Sequence, residues 1–175
     1  KLAISSALCL WALTGCMQRE EFTPGIDGGI PIHVDGHISQ EATKVSANGF
    51  EMGDALGLYA VNYTDGNQTP GTLQIEGNQA DHIKYILSEN GWNPVRPVYY
   101  KDVNTNVDIY TFYPYAEPKS VTEYTFEVSK DQSTAKKNGI LGGYEASDFL
   151  WGKVENVTPT ESKIRVTLEH RMSCA

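Results

Sequence analysis

Leu13-Thr14-Gly15-Cys16 sets small residues directly before a cysteine, at the end of an apolar run over residues 2–13 that follows Lys1. Small side chains fit the cleft of a signal peptidase, and the sulfur of Cys16 is then the atom to be acylated. A run of this length falls within the ~7–15 residues of a secretory signal and short of the ~20 that a spanning helix needs. Residues 1–15 are therefore expected to be a lipoprotein signal peptide and residues 16–29 a tether carrying lipid on Cys16. The mature chain is expected outside the cytoplasm, held to a membrane by that lipid.

Other side chains have spacings that suit metal or ligand chemistry. His33, Asp35 and His37 fall at every second position, which in a strand puts two imidazoles and a carboxylate on one face. Imidazole and carboxylate suit zinc or copper, but a wet strand face opposite Ile32 and Val34 is the stronger reading. Asp102, Asn104, Asn106 and Asp108 follow the start of a calcium-loop spacing. Val107 then stands where that loop needs glycine and Tyr113 where it needs an acid, so a polar hairpin loop is expected. No metal site and no cofactor are assigned. Tyr99, Tyr100, Tyr110, Tyr113 and Tyr115 could stack on sugar rings, although strands favour tyrosine for packing alone. The chain has no G-x-S-x-G, H-E-x-x-H, G-x-G-x-x-G, Walker or C-x-x-C pattern. No catalytic residue is assigned, and the chain is not expected to be an enzyme.

The elements that hold these residues read as β throughout. Of 175 residues, 22 are acidic and 14 are Lys or Arg, a formal charge of −8 that opposes nucleic-acid phosphate and anionic membrane as partners. Cys9 would leave with the signal and Cys16 would be acylated, so Cys174 has no partner for a disulfide and burial alone must build the core. Ile30, Ile32, Val34 and Ile38 share one face of a strand over residues 30–38. Tyr124, Phe126 and Val128 alternate with polar residues, as do Ile164, Val166, Leu168 and His170. Leu56–Tyr63 and Val107–Tyr113 are apolar or aromatic on both faces, as central strands are. Turn signals stand at Asp65-Gly66-Asn67, Asn90-Gly91 and Asn138-Gly139. Residues 79–89 are the one stretch that suits a short helix. These patterns predict an all-β, Greek-key-like β-sandwich.

Five blocks carry a family resemblance: ANGFEMGDALGLYAV (47–61), PVYY (97–100), VDIYTFYPY (107–115), SDFLWGK (147–153) and VTLEHRMS (166–173). In this order the chain resembles the fimbrillin-like lipoproteins of Bacteroidales over most of its length after the signal. Met17-Gln18-Arg19-Glu20-Glu21 similarly looks like the signal that sends such lipoproteins to the outer face of the outer membrane. The resemblance implies a transthyretin-like Greek-key β-sandwich, with residues 30–175 as the N-terminal domain of a normally two-domain protein whose C-terminal domain is absent here.

The function so implied is that of a structural, anchor or tip component of a fimbria. A protease cuts the loop after the first strand, that strand leaves, and a donor strand from the next subunit fills the groove. Here the leaving strand would be Ile30–Ile38, with Ile30, Ile32, Val34 and Ile38 as the groove-filling residues. Lys44 is the one basic residue of the loop Ser39–Asn48 and the candidate cleavage point. Relatives carry arginine at that place, so processing by an Arg-specific protease is put in question. The implied partners are other fimbrial subunits, the outer membrane through Cys16, and a glycan or protein on a host or bacterial surface. The alternative is a monomeric surface lipoprotein that binds glycan through its aromatic residues.

Overall fold

A computed structural model of the chain describes residues 29–39, 49–137 and 140–171. Seven strands and one short 3-10 turn (Glu145–Ser147) make up its regular structure among these residues. The strands are β1 (Val34–Ile38), β2 (Ala55–Asn62), β3 (Ala80–Ser88), β4 (Gly91–Pro94), β5 (Val107–Tyr113), β6 (Leu150–Val157) and β7 (Ile164–His170). They form one sheet in the order β1-β7-β6-β5-β2-β3-β4. β2, β3 and β4 follow one another as hairpins, and β5 returns to lie beside β2, which is a Greek key. The pairs within the sheet are antiparallel except for β1, which runs parallel to β7.

The two ends of this strand order meet. The indole N–H of Trp92 on β4 donates to the Gly36 carbonyl on β1 at 3.2 Å, and the Tyr85 hydroxyl on β3 donates to the Ile32 carbonyl at 2.9 Å. The sheet is thus folded over on itself, nearly closing into a barrel. Its inner face carries Leu56, Leu58, Tyr85, Ile109 and Val166 in one continuous core. A smaller cluster of Tyr113, Leu150 and Leu168 sits at one end, with Phe50 packed against both.

β2 and β5 are buried on both faces, as their unbroken apolar runs predict. On the outer face the residue opposite Phe112 is Gly57. A Cβ there would come within 2.1 Å of the Phe112 ring, so only glycine leaves the ring room to lie flat across β2.

Two expectations are corrected. Residues 79–89 contain strand β3, not a helix. Ile83 pairs with Leu58 but Ala80 with Ala60, so three steps on β3 match two on β2. This bulge, with His82 at φ 32°, puts the inward residues Ala80 and Ile83 three apart and imitates a helical spacing. Residues 124–129 form no strand. β5 and β6 already pair with each other, and Tyr124 and Phe126 instead rest on the ring of Phe149, at 5.9 and 5.1 Å between centroids.

Candidate functional site: the seat of the first strand

The N-terminal segment owes its place to strict alternation. Ile32, Val34 and Gly36 are buried, Ile30 and Ile38 pack against the core, and His33, Asp35 and His37 between them are half-exposed. Each fully buried aliphatic side chain contributes about 1.5–3 kcal/mol, so this segment supplies a substantial share of the apolar core.

Two different neighbours hold its backbone. In the first half, the Ile32 N–H donates to the Val98 carbonyl at 2.8 Å and the Tyr100 N–H to the Ile30 carbonyl at 2.9 Å, around an antiparallel bridge from Pro31 to Tyr99. The expected strand over residues 30–38 is therefore regular only over Val34–Ile38. From there β7 takes over, with Val34 opposite Ile164 and Ile38 opposite Leu168. The Ser39 N–H closes the run on the Leu168 carbonyl at 2.9 Å.

Gly36 is the narrow point of this seat. A Cβ there would lie 3.1 Å from Leu56, 3.4 Å from the Trp92 indole nitrogen and 3.5 Å from Leu168. The same indole donates to the Gly36 carbonyl, so residue type and register are read at one position. The seat accordingly takes large apolar side chains at positions 30, 32, 34 and 38 and is tight at 36, where a Cβ would require Leu56 to give by a few tenths of an ångström. The period-2 pattern points to the four aliphatic positions, whereas Tyr85, Trp92 and Gly36 carry no local signal. Their roles arise from partners more than fifty residues away.

The chemical candidates read from spacing go elsewhere. His37 Nε2 and Asp35 Oδ2 pair with each other at 2.9 Å on the wet face of β1. Asp102 closes its own turn, accepting from the Asn104 and Thr105 N–H groups at 2.8 and 2.7 Å, and its carboxyl is held below the usual carboxylate range by the Thr105 hydroxyl first and those amides next. Asp108 is buried and satisfied by the Asn156 N–H at 2.9 Å and Lys153 at 3.2 Å. The five tyrosines form no common platform. Tyr100 and Tyr113 belong to the core, Tyr110 tilts against Trp151, and Tyr115 donates to Glu117. Burial, and then the carboxylate of Asp54, pushes the Tyr113 phenol up. Cys16 and Lys44 lie outside the described residues. Lys44 belongs to the stretch 40–48 that joins the first strand to the rest of the sheet.

A family model described as fimbrillin-like matches residues 43–174. The chain is 32% identical over 117 residues to a protein of Bacteroides ovatus described as a fimbrium tip subunit, Fim1C, an alignment that covers 62% of this chain and 20% of that one. It is 25% identical over 173 residues to a protein of Bacteroides uniformis described as a fimbrium subunit, Fim1C, covering 97% and 52%. The chain thus spans about a fifth and about half of these relatives. Among solved structures it is similar to a chain described as a cell adhesion protein from Bacteroides uniformis, with a TM-score of 0.38 and 20% identity, covering 84% of this chain and 49% of that one.

Proposed function

The chain belongs to the fimbrillin-like family, and on that premise we propose that it is a lipid-anchored fimbrial component that assembles by exchange of its first strand. One observation carries the reading. The segment that alone precedes the first loop fills the core at Ile30, Ile32, Val34 and Ile38, yet is joined to the sheet only through residues 40–48. Cleavage after Lys44 leaves this segment attached by contacts alone. Its departure uncovers the β7 edge and the apolar seat beside Tyr85 and Trp92. An open edge of this kind pairs readily with another strand, and a donor strand from a neighbouring subunit restores both the ladder and the alternate side chains.

In the same reading residues 1–15 are the signal, Cys16 bears lipid, residues 16–29 are the tether and residues 30–175 are the N-terminal of two domains. The lipid holds the precursor at the outer membrane until the strand leaves, so release and assembly are one event. A subunit left uncut remains lipidated and acts as an anchor. Adhesion to a surface glycan or protein is the accompanying role.

The full-length precursor, treated with a Lys-specific protease and run without boiling, tests this. Cleavage with a new N-terminus at Val45 and a ladder of multimers is the expected outcome. A chain cut after Lys44 that keeps residues 30–38 bound and stays monomeric would overturn strand exchange.

A further inference from the structure

The outer face of the sheet carries a second apolar layer that strand exchange does not use. Register sets Phe112 on β5 between Gly57 on β2 and Trp151 on β6, and Tyr59 stacks on Phe112 at 5.9 Å. Residues 118–124 pass over this layer beside Phe149 and enclose a cleft of about 390 Å³. That volume is within the ~300–1,000 Å³ of small-molecule sites.

Three features decide what the cleft suits. Its wall is aromatic, formed by Tyr59, Phe112, Tyr124, Phe149 and Trp151. Its lining also carries the hydroxyls of Ser120 and Thr122 and the guanidinium of Arg171, a planar fork of five donors. Arg171 is half-exposed, and its contact to Glu169 at 3.5 Å is of the weak surface kind. The third feature concerns Tyr59, which is 2% exposed and whose hydroxyl, with no hydrogen-bond partner among the described residues, is closed off from the cleft, so that this residue offers a ligand its ring. A buried hydroxyl without a partner is costly. Burial, and then the charge of Asp81, pushes this phenol up to about 12, so it keeps its proton through the neutral range.

We propose that this cleft binds a neutral hexopyranose, whose C–H face lies on the aromatic wall and whose hydroxyls meet Ser120, Thr122 and Arg171. A purely aromatic ligand would cover the rings and leave the Arg171 guanidinium and the hydroxyls of Ser120 and Thr122 unused. An anionic ligand would face a chain of formal charge −8, with Glu169 already beside the guanidinium. A peptide strand would need an open backbone edge, whereas β2, β5 and β6 each have a strand paired on both sides. A pyranose combines apolar C–H faces with hydroxyls around its rim, which matches this wall and these donors. The sequence pattern misses the site because its rings come from β2, β5, β6 and the intervening segment, at no common spacing. Among them, Tyr124 lies in a stretch that imitates a strand.

The cleft lies on the sheet face opposite the seat of the first strand, so its test is independent of cleavage and assembly. The uncut full chain is titrated with the methyl glycosides of galactose, glucose and mannose, and with glucuronic acid, following saturation transfer from protein to sugar by NMR. Saturable binding of at least one neutral glycoside is expected, with glucuronic acid weaker. Trp151→Leu should weaken binding by about tenfold, the effect of losing one ring of the wall. Tyr59→Phe should unfold no earlier than the parent, because it removes a hydroxyl that has no partner among the described residues, and should leave the affinity unchanged. Arg171→Gln should weaken binding while leaving the near-UV circular dichroism unchanged. No transfer to any neutral glycoside, a response to glucuronic acid alone, or undiminished affinity in Trp151→Leu would each overturn the proposal.

Discussion

At the scale of single residues, two glycines of this sheet show how little room is left for a side chain. At position 36 the missing Cβ leaves room for Leu56, Trp92 and Leu168, and at position 57 it leaves room for Phe112. Because the far end of the Phe112 ring stands 2.1 Å from any Cβ at 57, Gly57→Ala forces that ring off Tyr59. The expected cost is roughly 1–3 kcal/mol, as for other overpacked sites. Replacing Phe112 by leucine should remove the clash, so urea midpoints of Gly57→Ala, Phe112→Leu and the double variant should show the pair coupled. Simple additivity would show that Phe112 does not press on position 57. A reader of the sequence sees GDALGLYAV as a strand with one weak residue in it. The requirement for glycine is written across the ladder, in a residue fifty-five positions away.

At the scale of elements, legibility followed periodicity. β7 stands where its alternation places it and β5 where its unbroken apolar run does, since neither pattern is interrupted. β3 was obscured by the bulge at His82, which shifts the inward phase and makes a strand resemble a helix. Residues 124–129 erred in the opposite sense, because alternation here sets Tyr124 and Phe126 on the ring of Phe149, with no ladder partner. The four aliphatic positions of the first strand were legible for the same reason as β7. Its two backbone neighbours were not, since one is an isolated bridge.

Non-regular segments are held by charge where packing is sparse. The ammonium of Lys136 lies 2.6 Å from Oδ1 of Asp54, which also accepts from the Tyr113 hydroxyl at 3.2 Å. Both charged side chains are largely removed from water, at 11% and 5% exposure. Breaking a buried pair strands one charge, so Lys136→Met should destabilise the domain by about 3–5 kcal/mol. Asp54→Asn in the same chain should restore most of the loss, because no buried charge is then left over. Thermal unfolding of the two variants checks this. Equal loss in both would show that the pair acts through packing rather than charge.

At the scale of the whole molecule, the fold keeps two surfaces apart. The inner face is completed by a segment whose covalent link to the sheet runs through residues 40–48, and the aromatic wall of the outer face lies beneath residues 118–124. The proposed strand exchange would rebuild the core on the face away from the aromatic cleft. The inner seat also sets a rule for its occupant, with apolar side chains at four alternate positions and little room at a fifth, where the Trp92 indole fixes the register. A synthetic peptide of residues 29–39 should accordingly enter the seat of a precursor cleaved after Lys44 and block polymerisation in a dose-dependent manner. The same peptide with Gly36→Leu carries more apolar surface and would bind better if burial alone governed entry. It should instead fail to block, because its side chain meets Leu56, Trp92 and Leu168 within 3.1–3.5 Å already at Cβ. Multimer ladders with the two peptides decide the matter: equal inhibition would mean that the groove reads hydrophobicity without register, and inhibition by the native peptide alone would mean that one glycine and one indole choose the incoming strand.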